Sequence, residues 1–436
     1  MITRALFYGF SALIFSAGLA AHAAAPSIDP GTNPVPTPSP ESTSAPAPER
    51  PRYLLLRYDE NWLSLRDSAA RTKPLDRLKY VPFTEEPLPY LTLGGEARIR
   101  YERFTHPNFG AEAEDPDGYL LQRYYLHADF QLHERVRLFY QLQASNVEGR
   151  KLGPRATDRD ELDTQQAFLD YKFWSSGKNH STLRFGRQEI ELGSARLISV
   201  REGLNIRVTH DGVRYISQDD RWYFTGFFVR PVATNPYVFD NYLAPTGYLW
   251  ALAGLTNSGS GLFPGYVLFY HGLHRADARY DIGVAHETRH LLGARGWGAL
   301  QAPWEFEVSL IGQFGSFGDR SIQAWGMTTD TGYVVPESAM KLRFGVKANV
   351  ASGDTDRSDN VLGTYNPLYT ATAYSGLVGL LGPSNLMDVT PNVSLRPSST
   401  LMLAAWSAFY WRYSTHDGIY GIFTNLQRTA QQSAAA

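Results

Sequence analysis

Residues 340–352 read Met-Lys-Leu-Arg-Phe-Gly-Val-Lys-Ala-Asn-Val-Ala-Ser, and their alternation decides the fold class. Leu342, Phe344, Val346, Ala348 and Val350 share one phase, and Lys341, Arg343, Lys347 and Asn349 share the other. Successive side chains of a strand point to opposite faces, so as a strand this segment has one apolar face and one charged face. The pattern recurs. Between Tyr90 and Phe104, Leu91, Leu93, Ala97, Ile99 and Tyr101 alternate with Glu96, Arg98, Arg100 and Glu102. Between Leu120 and His133, Tyr124, Leu126, Ala128, Phe130 and Leu132 alternate with Arg123, His127, Asp129, Gln131 and His133. A soluble antiparallel sheet uses this pattern once or twice. Its repetition, always with charge on the polar face, describes an all-β chain closed into a transmembrane antiparallel barrel, apolar toward lipid and polar toward a lumen.

The first residues fit an exported protein. Arg4 supplies a positive charge, Ala5 to Leu19 is apolar apart from Gly and Ser, and Ala21-His-Ala23 offers small residues for cleavage. Residues 1–25 therefore read as a signal peptide, to be left out of the fold. With no cysteine, disulfides and thiolate metal sites are excluded. After the leader no apolar run is long enough for a membrane helix, so a membrane-embedded form must be a closed barrel. The 41 Lys+Arg against 43 Asp+Glu leave a net charge of -2, which argues against a nucleic-acid partner recruited by bulk charge. The 9 Trp, 26 Tyr and 23 Phe suit aromatic girdles, but strand propensity alone also raises that count.

Residues 26–51, rich in Pro, Ser, Thr and Ala, read as an extended, disordered linker. Residues 52–89 are mixed and read as a periplasmic lead-in or plug. From 90 to 436 the chain reads as one barrel domain. Alternating segments separated by Gly, Asp, Asn and Pro fall at 90–104, 118–133, 135–145, 163–174, 181–189, 206–217, 221–230, 261–271, 290–298, 304–315, 321–333, 340–352 and 399–413. Further strands are expected within 190–205, 244–256 and 386–396. At roughly 20 to 25 residues per strand and turn, the region holds about 14 to 18 strands, an even number.

Counted by phase, the lumen face receives Arg98, Arg100, Arg123, Arg137, Lys172, Arg184, Lys341, Arg343 and Lys347, with Glu96, Glu102, Asp129, Asp170, Glu305 and Glu307 as acidic neighbours. Arginine offers a planar fork of donors matched to the two oxygens of a carboxylate, and rings of Arg and Lys are how pores favour anions. Arg98, Arg100, Arg123, Arg184 and Arg343 are the constriction candidates, with Glu96 and Asp129 as their partners. The plain alternative is that such charges only brace a wet lumen, as in any porin.

Two other motifs compete. His286-Glu-Thr-Arg-His290 matches the short pattern of zinc metalloproteases, in which two histidines and a general-base glutamate share a helical face. The segment lies between strand-like stretches, and as a strand it would hold the histidines roughly 13 Å apart, too far to share a metal. Asp354, Asp356 and Asp359 are spaced for calcium in an outer loop but lack the Gly and bidentate Glu of a calcium-binding loop, so a solvated acidic loop is the simpler reading. No catalytic residue, metal site or cofactor is assigned.

Several stretches together resemble the alginate export outer-membrane proteins. They are Leu93-Gly-Gly-Glu-Ala-Arg-Ile-Arg-Tyr-Glu102, Gln122-Arg-Tyr-Tyr-Leu-His-Ala-Asp129, Leu183-Arg-Phe-Gly-Arg-Gln-Glu-Ile-Glu-Leu-Gly-Ser-Ala-Arg-Leu197, Arg201-Glu-Gly-Leu-Asn205 and Asp211-Gly-Val-Arg214. Later come Ala351-Ser-Gly-Asp354, Tyr365-Asn-Pro-Leu-Tyr369 and Trp411-Arg-Tyr-Ser-Thr-His-Asp-Gly-Ile-Tyr420. The resemblance runs from about 52 to about 420. It implies a monomeric barrel in the Gram-negative outer membrane that exports an anionic polysaccharide, alginate-like, through a basic lumen gated by loops, with periplasmic secretion proteins as partners. It also adds Arg187 to the substrate path. A general anion-preferring porin for uptake of small acidic solutes is the alternative. One departure is that residues 427–436 lack the alternation and the terminal aromatic of a closing strand, so the expected barrel has no evident closing strand.

Overall fold

The computed structural model describes residues 9–12, 51–110, 112–177, 179–245, 247–256, 264–301, 303–373, 379–398 and 400–431. The expected linker, apart from residue 51, and most of the expected signal peptide lie outside the described residues. The fold is one sheet of nineteen strands, fifteen of them nine residues or longer. In chain order these are β1 Tyr90–Glu102, β2 Tyr119–His133, β3 Val136–Glu148, β4 Asp160–Ser176, β5 Asn179–Gln188, β6 His210–Gln218, β7 Trp222–Ala233, β8 Gly247–Thr256, β9 Gly265–Tyr280, β10 Gly283–Gln301, β11 Trp304–Phe317, β12 Arg320–Val334, β13 Arg343–Ala351, β14 Leu386–Ser398 and β15 Leu401–Arg412. Every consecutive pair is antiparallel, a plain up-and-down order that satisfies backbone groups strand to strand. No described helix is long and apolar enough to cross a membrane.

Alternation sorts the two faces as the sequence predicts. On β1 and β2, Ile99 and Leu126 are 65% and 68% exposed and point outward, whereas Arg123, Tyr125, His127 and Asp129 on the opposite phase are buried. The expectation of further strands holds at β8 and β14 and fails at 190–205. That stretch belongs to a connection, 189–209, which folds inward and pairs its backbone with a second inward connection, 352–385. Ser199 donates to the Tyr369 carbonyl (2.9 Å), and Tyr369 donates to Leu197 (2.8 Å). Ala195 and Arg201 take left-handed φ values of +58° and +56°, which a strand does not tolerate.

Connections at the end where residues 51–89 meet the sheet are short, and those at the far end include 103–118, 149–159, 189–209 and 352–385. Outward-exposed Phe173, Trp174, Trp222 and Trp304 lie beside the short turns, as interface aromatics do in barrels. At the sheet's extremes, β1 carries the two-residue strand Val81–Pro82 and β15 carries the four-residue strand Gly9–Ala12. No pairing joins β1 to β15 among the described residues.

Placing a charge on the outward face tests this orientation. Leu126→Arg, mid-strand in β2, should cost about 2–4 kcal/mol of membrane-inserted stability. The expected readout is a lower urea midpoint for the heat-modifiable folded band on gels.

Candidate functional site

The interior is crowded. Residues 51–89 enter from the near end as short turns, Arg57–Asp59, Leu63–Arg66 and Ser68–Ala70 among them. Trp62, Leu65, Tyr80 and Tyr90 form a small apolar cluster that ties the segment to β1, and Thr92 Oγ1 donates to the Lys79 carbonyl (2.8 Å). The tip of the segment goes deeper. Tyr58 packs edge-on against Phe139 and Phe168, inward residues of β3 and β4, and its hydroxyl donates to the Glu189 carbonyl (2.7 Å). The tip of the 52–89 segment thus packs on inward residues of β3 and β4.

At the waist, three parts of the chain meet through charge. Glu96 of β1 accepts from Arg57 of the N-terminal segment (3.1 Å), pairs with Arg123 of β2, and lies 3.4 Å from Arg207 of the inward 189–209 connection. Glu202 takes Arg123 (2.5 Å), Arg98 (3.3 Å) and Arg207. Glu60 holds Arg57 at 3.0 Å, and Glu189 lies 3.6 Å from Arg207. Four arginines thus face four glutamates. Burial alone would raise the Glu202 carboxyl, but Arg207 and Arg123 outweigh it and hold Glu202 below the usual carboxylate range. For Glu189, burial wins and the carboxyl is pushed up.

Below the waist lies a vestibule of about 610 Å³, lined by Tyr58 and Asp59 of the N-terminal segment and by wall residues including Arg137, Lys172, Arg184 and Arg214. Arg184 forks onto Asp170 (2.7 and 2.9 Å) and stacks on Tyr58 and Phe168. Arg137 forks onto Asp129 (2.8 Å twice) and donates to the Tyr58 carbonyl (2.6 Å). Arg214 bonds only neutral groups, Thr225 Oγ1 (3.1 Å) and Tyr223 Oη (2.9 Å).

The opposite wall repeats the theme. Arg343 reaches Asp330 (2.8 Å), Glu305 (3.1 Å) and Asn392 (3.1 Å). Glu307 takes Arg295 and Arg196, both at 2.6 Å. Glu287 is buried between Arg275 (2.5 Å) and Arg289 (2.6 Å) and accepts from Tyr280 (2.8 Å). That placement answers the metalloprotease motif. His286 and His290 lie with Glu287 on β10, where alternation puts the glutamate on the face opposite both histidines, and His290 stacks on Tyr270 and Phe314. No group of three or more metal-ligating side chains able to hold an ion occurs among the described residues. Asp354, Asp356 and Asp359 instead cap turns: the Asp356 amide donates to Asp354 (3.2 Å), Ser358 to Asp356 (2.9 Å) and Val361 to Asp359 (2.9 Å).

Most sequence-nominated charges sit where phase put them. Arg98, Arg100, Arg123, Arg137, Lys172, Arg184, Arg343 and Lys347 share the inward phase, and Glu96, Glu102, Asp129 and Asp170 are bonded to Arg123, Arg100, Arg137 and Arg184. Two nominations move. Lys341 lies before β13, exposed in a turn with φ +48°, because the strand begins only at Arg343. Arg187 shares the outward phase of Phe185 and Val213, 42% and 41% exposed, and forks onto Asp211 (2.9 and 3.2 Å). Its place beside Gly186, at φ +122°, belongs to the barrel rim rather than to the passage. Arg57, Glu60, Glu189, Glu202 and Arg207 are not among the sequence nominations; Glu189, Glu202 and Arg207 fall in stretches read as strands at 181–189, 190–205 and 206–217, whereas the strands end at Gln188 and resume at His210. Only the recurrence of Arg and Glu between 187 and 207 hinted at them.

An antiparallel wall with an apolar outer face and a polar inner face fits a channel of the bacterial outer-membrane type. The chain matches the alginate export family over residues 89–436 and belongs to that family. It is accordingly a Gram-negative outer-membrane protein, in contact with the lipid bilayer. No curated protein matches it. Among solved structures it is similar to Pseudomonas aeruginosa OccK8 (OprE), at 10% identity, TM-score 0.43, and 76% and 98% coverage of the two chains. It is also similar to Acinetobacter baumannii OccAB1, at 10% identity, TM-score 0.45, and 73% and 78% coverage. A third is P. aeruginosa OccK2 (OpdF) in complex with glucuronate, at 8% identity, TM-score 0.42, and 76% and 96% coverage.

The far-end connection 352–385 carries a pH-sensitive contact. Burial pushes the Asp354 carboxyl up to about 6, opposed by the Asp356 amide and reinforced by Asp417 and Asp359. A raised acid favours the docked loop when protonated, so docking weakens as pH rises from about 4 to about 6 and stays weak above. Open probability in planar bilayers should be lower at about pH 5 than at about pH 7, and Asp354→Asn should hold the loop docked and abolish that difference.

Proposed function

We propose that this channel passes an anionic polysaccharide, an alginate-like polyuronate, outward by facilitated diffusion along the lumen arginines. The observation that carries the reading is the form of the ion pairs. Arg137, Arg184 and Arg123 are each engaged by carboxylates in the geometry a uronate would offer. These pairs are largely buried, so a guanidinium left without a carboxylate is costly, and a cargo carboxylate can pass only by replacing the internal one in the same fork. A polymer with a carboxylate on each sugar can step from one fork to the next without falling into a deep well. Membership of the alginate export family supports the same cargo class.

In this reading the near end with its short turns faces the periplasm, where secretion proteins deliver the polymer to a monomeric barrel. Passage needs no resident cofactor and makes or breaks no covalent bond. The crowding of the lumen by 51–89, 189–209 and 352–385 favours a second reading, uptake of small acidic solutes. The two separate by length dependence: an exporter's current is blocked more strongly by oligouronates as they lengthen, a solute porin's is not.

The double variant Arg98→Ala/Arg343→Ala should lower the anion-to-cation permeability ratio several-fold while leaving the heat-modifiable gel shift intact. An unchanged ratio, read from reversal potentials in a salt gradient, would remove both residues from the path.

A further inference from the structure

The vestibule contains positive charge that the wall does not fully use. Arg214, 4% exposed, has no carboxylate within ion-pair distance among the described residues. Arg184, 3% exposed, spends Nε and Nη2 on Asp170, while Nη1 is buried without any hydrogen-bond partner. Buried guanidinium donors left unfilled are costly and call for an acceptor. Besides Asp170, the vestibule is lined by Glu134, Glu191 and Asp59, none of them on a strand, and Glu191 accepts from Ser199 (3.3 Å). Asp59, at the tip of the N-terminal segment, lines the same vestibule; burial pushes its carboxyl up, with Arg184, Arg214 and Arg137 opposing. Yet the Asp59 carboxylate makes no hydrogen bond or ion pair among the described residues, unlike Asp170 and Asp129, which are locked in forks. A counter-charge that is near but unbonded is exchangeable.

We propose that the vestibule between Arg184 and Arg214 is a carboxylate site for a uronate sugar, and that Asp59 stands in for that carboxylate when the channel is at rest. The inference rests on the anion-path reading above and adds to it a site and a consequence. A uronate that docks against Arg184 and Arg214 satisfies the unfilled donors better than Asp59 does. Asp59 then loses its electrostatic hold, Tyr58 is drawn off the stacked pair Phe139 and Phe168, and residues 51–89 withdraw. The volume, about 610 Å³, lies within the range of ligand sites, about 300–1,000 Å³. The lining beyond the arginines, with Gln131, Thr182, Gln218 and Tyr223, supplies neutral hydrogen-bonding partners for sugar hydroxyls.

The experiment compares the full-length protein with Asp59→Asn in planar bilayers, using sodium glucuronate as probe and glucose as control. Asp59 is exposed to the vestibule and outside the barrel wall, so folding is not at stake. The wild type should be mostly closed and open several-fold more often with glucuronate, not with glucose. Asp59→Asn should open several-fold more often without any ligand and gain nothing from glucuronate. In parallel, glucuronate should speed tryptic cleavage after Arg66 and Arg71 in the wild type. If Asp59→Asn matches the wild type in resting current and glucuronate response, the stand-in role is overturned. Reversal potentials tell which idea has failed. Anion preference retained in both proteins leaves the path standing and removes only the stand-in, whereas no anion preference in either removes the path and this inference together.

Discussion

A single carboxylate, Glu96, is in ion-pair contact with arginines from three separate parts of the chain: Arg57 from the inserted N-terminal segment, Arg123 from the wall and Arg207 from the inward connection. Removing that charge would leave Arg57 to Glu60, and Arg123 and Arg207 to Glu202, four arginines then sharing three glutamates. Glu96 thus joins the inserted segment and the 189–209 connection to β1 at one point, beside the separate Tyr58 and Tyr369 contacts that also hold them. The wall does not depend on it in return, because its strands are paired through their backbones.

This asymmetry explains what could be read from the chain. Period-two alternation is local, so β1, β2 and β13 and the inward phase of Arg98, Arg123 and Arg343 were legible residue by residue. The plug and the 189–209 connection obey no period. Arg207 meets Glu96 only because Gly193, Ala195 and Arg201 turn the backbone inward, and that turning is stabilised by a distant segment through the Ser199–Tyr369 and Leu197–Tyr369 bonds. Arg187 was added by resemblance and not by phase; it follows Gly186, at which a side chain would collide with the Ala167 carbonyl, and it pairs with Asp211 on the outward phase. Lys341 misled by one turn, its alternation continuing past the point where hydrogen bonding begins.

Strand parity adds a geometric condition. With fifteen long strands alternating in direction, β1 and β15 run the same way. An antiparallel seam between them requires one further strand of opposite sense; Gly9–Ala12 pairs with β15 there, but it lies in the stretch read as a cleaved leader and would not serve the mature wall. Hydrocarbon does not forgive unpaired backbone groups, which makes this the part of the wall where pairing matters most.

Residues 51–89 are joined to β1 through Val81–Pro82 and the turn that follows. However far the plug withdraws, it stays on a short leash, at an effective concentration of the order of millimolar at its own site. Reclosure is then a unimolecular event that does not wait for any other molecule. Dilute monomeric acids would lose to a competitor always present at that density, while a polymer threading many carboxylates through the mouth matches it. If the segment withdraws as proposed, a monomeric acid opens the channel only at concentrations above that value, whereas a polymer with many carboxylates does so at a far lower total concentration.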